Sequence, residues 1–495
     1  MALEADVGAT AGNPYLEGNF GPVAEELTTG ELEVTGRLPE WLDGRYLRIG
    51  PNPLGAVNPE TYHWFVGHGM AHGVRLRDGR AEWYRNRYVR SDAVAAALGE
   101  PARPGGVHAG FDFAANTNIV QHSGRTLALV EGGARPYELN ETLDTVARCD
   151  FDGTLRGGYT AHPHMDPATG ELHSISYFWA WGNRVRYDVI GTDGRVRRST
   201  DITTHGRASI HDFALTENFV VILDLPVAFD TKRVASSVPP AMRPFAKATL
   251  AAVSRIALPP RVAAVLGGGA DASGDSAGST MGFPYSWDPS YPARVGLLPR
   301  EGSNRDVQWY DVSPGYVFHV MNAYEEGDTI VCDVVRHPKM FATERRGPQE
   351  GVPTLDRWTI DRAAGKVIED RLDSSGQEFP RIDERLTGRR HRYGYAVGVD
   401  PDSANCVIKH DLVAGDREVK RLGGAADLAS EFVFVPSPHS VAEDDGVLMG
   451  FVYHADTDRS DLTLLDATSL ETMASVHLPA RVPQGFHGNW APASV

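Results

Sequence analysis

The chain has 495 residues, of which 42% are hydrophobic and 23% charged, and its formal charge is −17. No apolar run approaches the roughly 20 residues of a membrane-crossing helix, and so acidic a surface argues against nucleic acid, whose phosphates need basic partners. What remains is a globular protein with room for a large core and a ligand that is neutral or small.

The start, Met1-Ala2-Leu3-Glu4-Ala5-Asp6, lacks the basic-then-apolar order of a secretory signal, and the expected location is the cytosol. Three isolated cysteines, Cys149, Cys332 and Cys406, form no CxxC and read as reduced structural thiols. Residues 1–30 are rich in Gly, Ala and Glu and read as a loosely held arm before a first strand near Gly44-Arg45-Tyr46-Leu47-Arg48-Ile49.

From there, short β-type runs alternate with Gly or Asp turns almost to the end. Examples are Thr126-Leu127-Ala128-Leu129-Val130, Phe219-Val220-Val221-Ile222-Leu223, Thr329-Ile330-Val331-Cys332-Asp333-Val334-Val335 and Val447-Leu448-Met449-Gly450-Phe451-Val452-Tyr453. Asp78-Gly79, Asp193-Gly194 and Ala364-Gly365 supply the positive φ angles of tight hairpins. The pattern is all-β with meandering antiparallel strands. A β-propeller fits it, since that fold packs many hairpins into one domain with few open edges. A pair of β-sandwich domains fits the same periodicity.

One segment reverses the sign of the chain. Between Thr231 and Ala270 there is no Asp or Glu, yet Lys232, Arg233, Arg243, Lys247, Arg255 and Arg261 occur. Leu250, Val253, Ile256 and Ala257 recur at helical spacing before Pro259-Pro260, and the stretch ends in the glycine-rich loop 267–274. Residues 231–275 thus read as a basic, partly helical cap or insertion. Such a helix suits either a membrane interface or the roof of a propeller.

No HExxH or closely spaced zinc pattern is present. Four histidines nevertheless share a strand-like setting: His162 in Thr160-Ala161-His162-Pro163-His164, His211 in Ser209-Ile210-His211-Asp212-Phe213, His319 in Val317-Phe318-His319-Val320-Met321-Asn322, and His487 in Gln484-Gly485-Phe486-His487-Gly488-Asn489-Trp490. Singly, each reads as a hydrogen-bonded core histidine. Together, and in this order, they resemble the iron-binding histidines of the carotenoid cleavage oxygenases. The resemblance runs from Gly44-Arg45-Tyr46-Leu47-Arg48-Ile49-Gly50-Pro51-Asn52-Pro53 to Asn489-Trp490.

The resemblance implies a single seven-bladed β-propeller over 31–495, with one Fe(II) held on its axis by His162, His211, His319 and His487, and a cap roofing an apolar tunnel. It selects His162 over the nearby His164 and leaves His68, His72, His439 and His454 as structural or surface residues. It places Glu131, Glu378 and Glu431 one layer behind the histidines, where carboxylates fix imidazole tautomers. It assigns Thr117 to crowding an oxygen position and Phe65, Val130 and Phe318 to the tunnel wall.

The implied reaction inserts both atoms of the co-substrate O2 across a C=C bond of a polyene, giving two carbonyl products. Relatives that cleave hydroxystilbenes carry a lysine before the first glutamate and a tyrosine upstream. Here the lysine position is Val130, and 89–110 contains no tyrosine, so a carotenoid or apocarotenoid is the expected substrate. Stilbene-type cleavage, a retinoid-type isomerase or binding protein, and a metal-free scaffold are the alternatives. One departure stands out: the family's Gly-Asp-Gly-Met is Gly67-His68-Gly69-Met70 here.

Overall fold

In a computed structural model, residues 12–106, 110–232 and 283–493 are described. Seven antiparallel sheets stand around one axis as a β-propeller. Blade 1 runs outward through Gly488–Pro492, Gly44–Pro51, Gly69–Arg77 and Arg80–Tyr88, with Thr28–Gly30 added at its rim. The innermost strands of blades 2 to 6 are Asn118–His122, His164–Met165, Phe213–Leu215, Tyr316–Glu326 and Gln377–Arg381. In blade 7, Val433–Pro436 is innermost and Val34–Gly36 outermost. The ring is therefore closed twice: a late strand completes blade 1 and an early strand completes blade 7.

The local chemistry follows depth. The inner strand Tyr316–Glu326 is buried along almost all its length, whereas the outer strands Lys366–Asp373 and Asp416–Arg421 face water with charged side chains. That gradient explains why middle strands read as apolar runs while outer ones look like loops. At the Asp78-Gly79 hairpin both residues have positive φ, 48° and 69°, as a type I′ turn requires.

Residues 12–30 are docked, in contrast to the loose arm expected from composition. Two short 3-10 turns, Pro14–Leu16 and Gly18–Phe20, bury Tyr15 and Leu16, because the aromatic side chains find a hydrophobic seat that a Gly/Ala count does not register. The three cysteines are buried and unpaired. In blade 4 a small ribbon, Val227–Phe229 with Tyr285–Trp287, flanks the basic insertion; apart from Thr231 and Lys232, the expected cap 231–275 lies outside the described residues. Among the described residues no helix is long and apolar enough to cross a membrane.

Candidate metal centre and its two cavities

His162, His211, His319 and His487 converge so that one nitrogen of each lies within 4.8 Å of the others. They come from four blades, just before or within the innermost strand of each. His319 sits at a register irregularity between Val317 and Val320, where a bulge re-aims a side chain toward the axis. His487 arrives through close backbone contact: a Cβ on Gly485 would lie 2.8 Å from Gly50 Cα, and one on Gly488 would lie 2.6 Å from the Leu47 carbonyl oxygen. Only glycine allows that approach on both sides of the histidine.

The other three blades supply carboxylates. Glu378 Oε2 lies 2.5 Å from His319 Nδ1, and Glu431 Oε1 lies 3.0 Å from His487 Nδ1. Glu131 Oε2 lies 2.8 Å from His211 Nδ1, though not aligned as a good hydrogen bond. With Nδ1 occupied, Nε2 of the imidazole is left for a ligand.

The carboxylates are themselves held. His337 Nε2 meets Glu378 Oε1 at 2.9 Å, while Glu431 accepts from the Gly488 backbone N–H at 2.7 Å and from Arg381 at 3.4 Å. Burial alone would push Glu431 up, but His487 and Arg381 more than offset it and hold it down at about 2. Glu378 is likewise held far below the carboxylate range, by His319 and His337, against its burial.

Burial lowers His162 well below its ordinary value, and the neighbouring imidazoles lower it further; His487 is held down at about 4, chiefly by burial. For His319 burial is outweighed by Glu378, which pushes it up. The Nε2 atoms of His162 and His319 are buried without a hydrogen-bond partner. Such orphaned nitrogens are costly unless something occupies the space between them. Imidazole nitrogens suit a divalent transition ion, so the donor set fits a metal.

Two cavities share His319, Phe379 and His487 in their walls. The larger, about 660 Å³, is aromatic and contains Trp64, Phe65, Val130, Phe283, Phe318 and Phe486. Phe65 packs edge-on against Phe318 at 5.9 Å, and Phe318 against the His211 ring at 5.1 Å. The smaller, about 380 Å³, is the more polar of the two and contains His164, Asp212, Arg381, Asp383 and Glu384.

Thr117 lines the larger cavity. Its hydroxyl donates to Asn116 Oδ1 at 2.9 Å, and its carbonyl accepts the His487 N–H at 3.1 Å. His164 stands apart from the cluster, 2.7 Å from Asp212. His72 bonds the Tyr84 hydroxyl, His454 lies between Asp427 and Asp461, and His439 is exposed. His68 is outside both cavity walls; its Nδ1 accepts the Leu54 N–H at 3.0 Å, and burial pushes it down to about 4. Its side chain therefore serves the local loop at Leu54. Sequence reading missed His337 and Arg381, which reach the histidines through carboxylates, and, as wall residues, Trp64, Phe283, Phe379 and Phe486. The one signal available was an aromatic next to a glycine-flanked histidine.

Residues 20–492 match the family model described as retinal pigment epithelial membrane protein, RPE65. A protein of Mycobacterium tuberculosis named carotenoid cleavage oxygenase is 52% identical, over 98% of this chain and 99% of its own. Carotenoid 9,10(9',10')-cleavage dioxygenase 1 of Phaseolus vulgaris is 30% identical, over 96% and 88% respectively. Among solved structures, cobalt-substituted apocarotenoid oxygenase of Synechocystis superposes with a TM-score of 0.77 at 27% identity, covering 95% of this chain and 97% of its own. The chain belongs to the RPE65 and carotenoid cleavage oxygenase family, as an enzyme of its dioxygenase kind.

Proposed function

We propose that the protein is an Fe(II) dioxygenase that cleaves a C=C bond of a carotenoid or apocarotenoid into two carbonyl products. The observation that carries this reading is the convergence of four imidazoles, three of which, His211, His319 and His487, stand in the wall of an aromatic cavity of about 660 Å³. His162, His211, His319 and His487 would hold the ion, and when bound it supplies the oxygen activation that no side chain here provides.

The protein's own part is positioning. Glu378 and Glu431 fix the tautomers of His319 and His487 and bring negative charge close without taking a ligand position; Glu131 brings its charge to His211 without a well-aligned hydrogen bond. The Thr117 hydroxyl is committed to Asn116, and its backbone ties the wall to His487. Phe65, Val130 and Phe318 offer a planar conjugated chain aromatic and apolar contact and exclude water from the reacting bond. Val130 in particular gives a phenolic oxygen no partner, and an unpaired buried polar atom costs about 1–3 kcal/mol, so the wall favours a polyene over a hydroxystilbene.

Purified protein reconstituted with Fe(II) in air should convert a polyene to two carbonyl fragments, both labelled from isotopic O2. Cleavage of resveratrol or isoeugenol with no polyene in a panel attacked overturns this in favour of a phenylpropanoid substrate; turnover without oxygen consumption points to an isomerase. We further propose, from the sequence alone, a cytosolic enzyme that touches lipid through 231–270. Neutralising Lys247, Arg255 and Arg261 should abolish liposome sedimentation while detergent-dispersed substrate is still cleaved, and unchanged sedimentation refutes the contact.

A further inference from the structure

We propose that residues 12–21 form an aromatic strap that sets how far a polyene enters the cavity, with Tyr15 and Phe20 as its specificity-determining side chains. The proposal rests on the reading of the aromatic cavity as the substrate site. Tyr15 and Phe20 both line that cavity. They meet edge-on at 5.4 Å, and both pack on Trp64, at 5.4 and 5.3 Å. Trp64 in turn lies 4.5 Å from Phe486, the residue before His487. A continuous aromatic surface therefore runs from the strap to the neighbour of a proposed ligand.

The strap is seated by specific bonds. Asn13 Nδ2 donates to the carbonyls of Pro59 and Tyr62 at 2.8 and 3.1 Å, and Arg346 donates to the Gly12 carbonyl at 2.6 Å. At the other end the Gln484 N–H donates to the Asn19 carbonyl at 2.7 Å, and Arg481 donates to those of Gly21 and Pro22. Gly347 leaves the slot for the Tyr15 ring: a Cβ there would lie 2.1 Å from it. The cavity wall reaches solvent at Thr61, Gln349 and Gly351, close in sequence to Pro59 and Gly347. The strap thus forms part of the wall near the opening.

A polyene carries no periodic polar handle by which a tunnel can count its bonds. The double bond delivered to the metal is fixed by where the end group stops, and flat aromatic rings are the natural stop for a ring-terminated conjugated chain. Because Tyr15 and Phe20 belong to a segment separate from every histidine and carboxylate of the centre, they can set reach without altering metal binding.

The test uses the iron-loaded full chain and a panel of apocarotenoids of graded length. Tyr15→Ala and Phe20→Ala should keep wild-type iron content, raise KM for the shorter substrates about tenfold, as expected for an aromatic wall lost from an apolar site, and spread cleavage over neighbouring double bonds. Tyr15→Phe should behave as wild type. Gly347→Ala, which displaces the ring without itself lining the cavity, should reproduce the alanine variants. Unchanged KM and product ratios in both alanine variants overturn the proposal, as does a shift seen in Gly347→Ala alone. Polyene binding under anaerobic conditions, read from the absorbance shift of the bound chromophore, is independent of cleavage. A wild type that binds but does not cleave overturns the catalytic reading alone, and equal affinity in Tyr15→Ala then overturns the strap; no binding by wild type overturns both.

Discussion

The aromatic and polar cavities share three wall residues and differ in almost everything else. At the inner ends of two blades adjacent positions go to different sides, Thr117 and His211 to the aromatic cavity and Asn118 and Asp212 to the polar one. Phe318 and Val320, two positions apart, are divided between the cavities across the register irregularity between Val317 and Val320. The polar side carries the ion pairs that lock the loops, such as Arg381 with Glu384 and Glu431, and the hydrogen bond between His164 and Asp212. Among the described residues, apart from those of the centre and Asp400 at the rim, the aromatic side carries no charged side chain. Of the two cavities, the smaller thus carries the ion pairs and the larger an aromatic and apolar wall.

The comparison can be broken hardest at the shared wall. His487→Ala should abolish metal retention, measured by elemental analysis, and lower activity by more than about a hundredfold, beyond the 10–100-fold typical of partners one layer out. Glu378→Gln should fall within that range for metal affinity, because His319 loses its charged acceptor while the packing is kept. On the aromatic side alone, Val130→Lys should leave metal content intact and raise KM for a polyene by about tenfold or more, since an ammonium there is buried without a partner.

On the polar side alone, His164→Ala should change kcat/KM for a polyene by less than about threefold while lowering Tm, as expected for a lost charge-assisted bond to buried Asp212. Outside both cavity walls, His454 is pushed up to about 9, chiefly by its bond to Asp461 with Asp427 adding, against its burial. A raised folded-state value means that its stabilisation is complete below about pH 6.5 and disappears as pH rises through about 9. His454→Ala should therefore lower Tm at pH 6 and leave it unchanged at pH 10. The difference corresponds to about 1 kcal/mol or less, because the site is half open to solvent.

How legible all this was depended on whether a residue announces itself locally. The glycines around His487 are visible in sequence because close backbone approach demands them, and hairpin turns such as Asp78-Gly79 are visible for the same reason. The four histidines became a set only through resemblance, since their convergence is a property of the ring and of no local spacing. His337 and Arg381 were invisible because each acts through a carboxylate more than forty positions away along the chain. The docking of residues 12–21 was misread because composition counts glycine and alanine but not what Tyr15 and Phe20 reach.

The double closure of the ring has a kinetic consequence. Arg48 and the Phe486 carbonyl bond across 438 residues, and the backbone pairing of the Gly488–Pro492 strand with Gly44–Pro51 is of that kind. Pairings so remote in sequence are the slow ones, because the intervening chain must first be ordered. His487 enters its place with this strand, so a partly folded chain presents at most three of the four histidines. A refolding experiment should then show metal uptake tracking the slowest structural phase, with the earlier, still open species unable to sequester the ion.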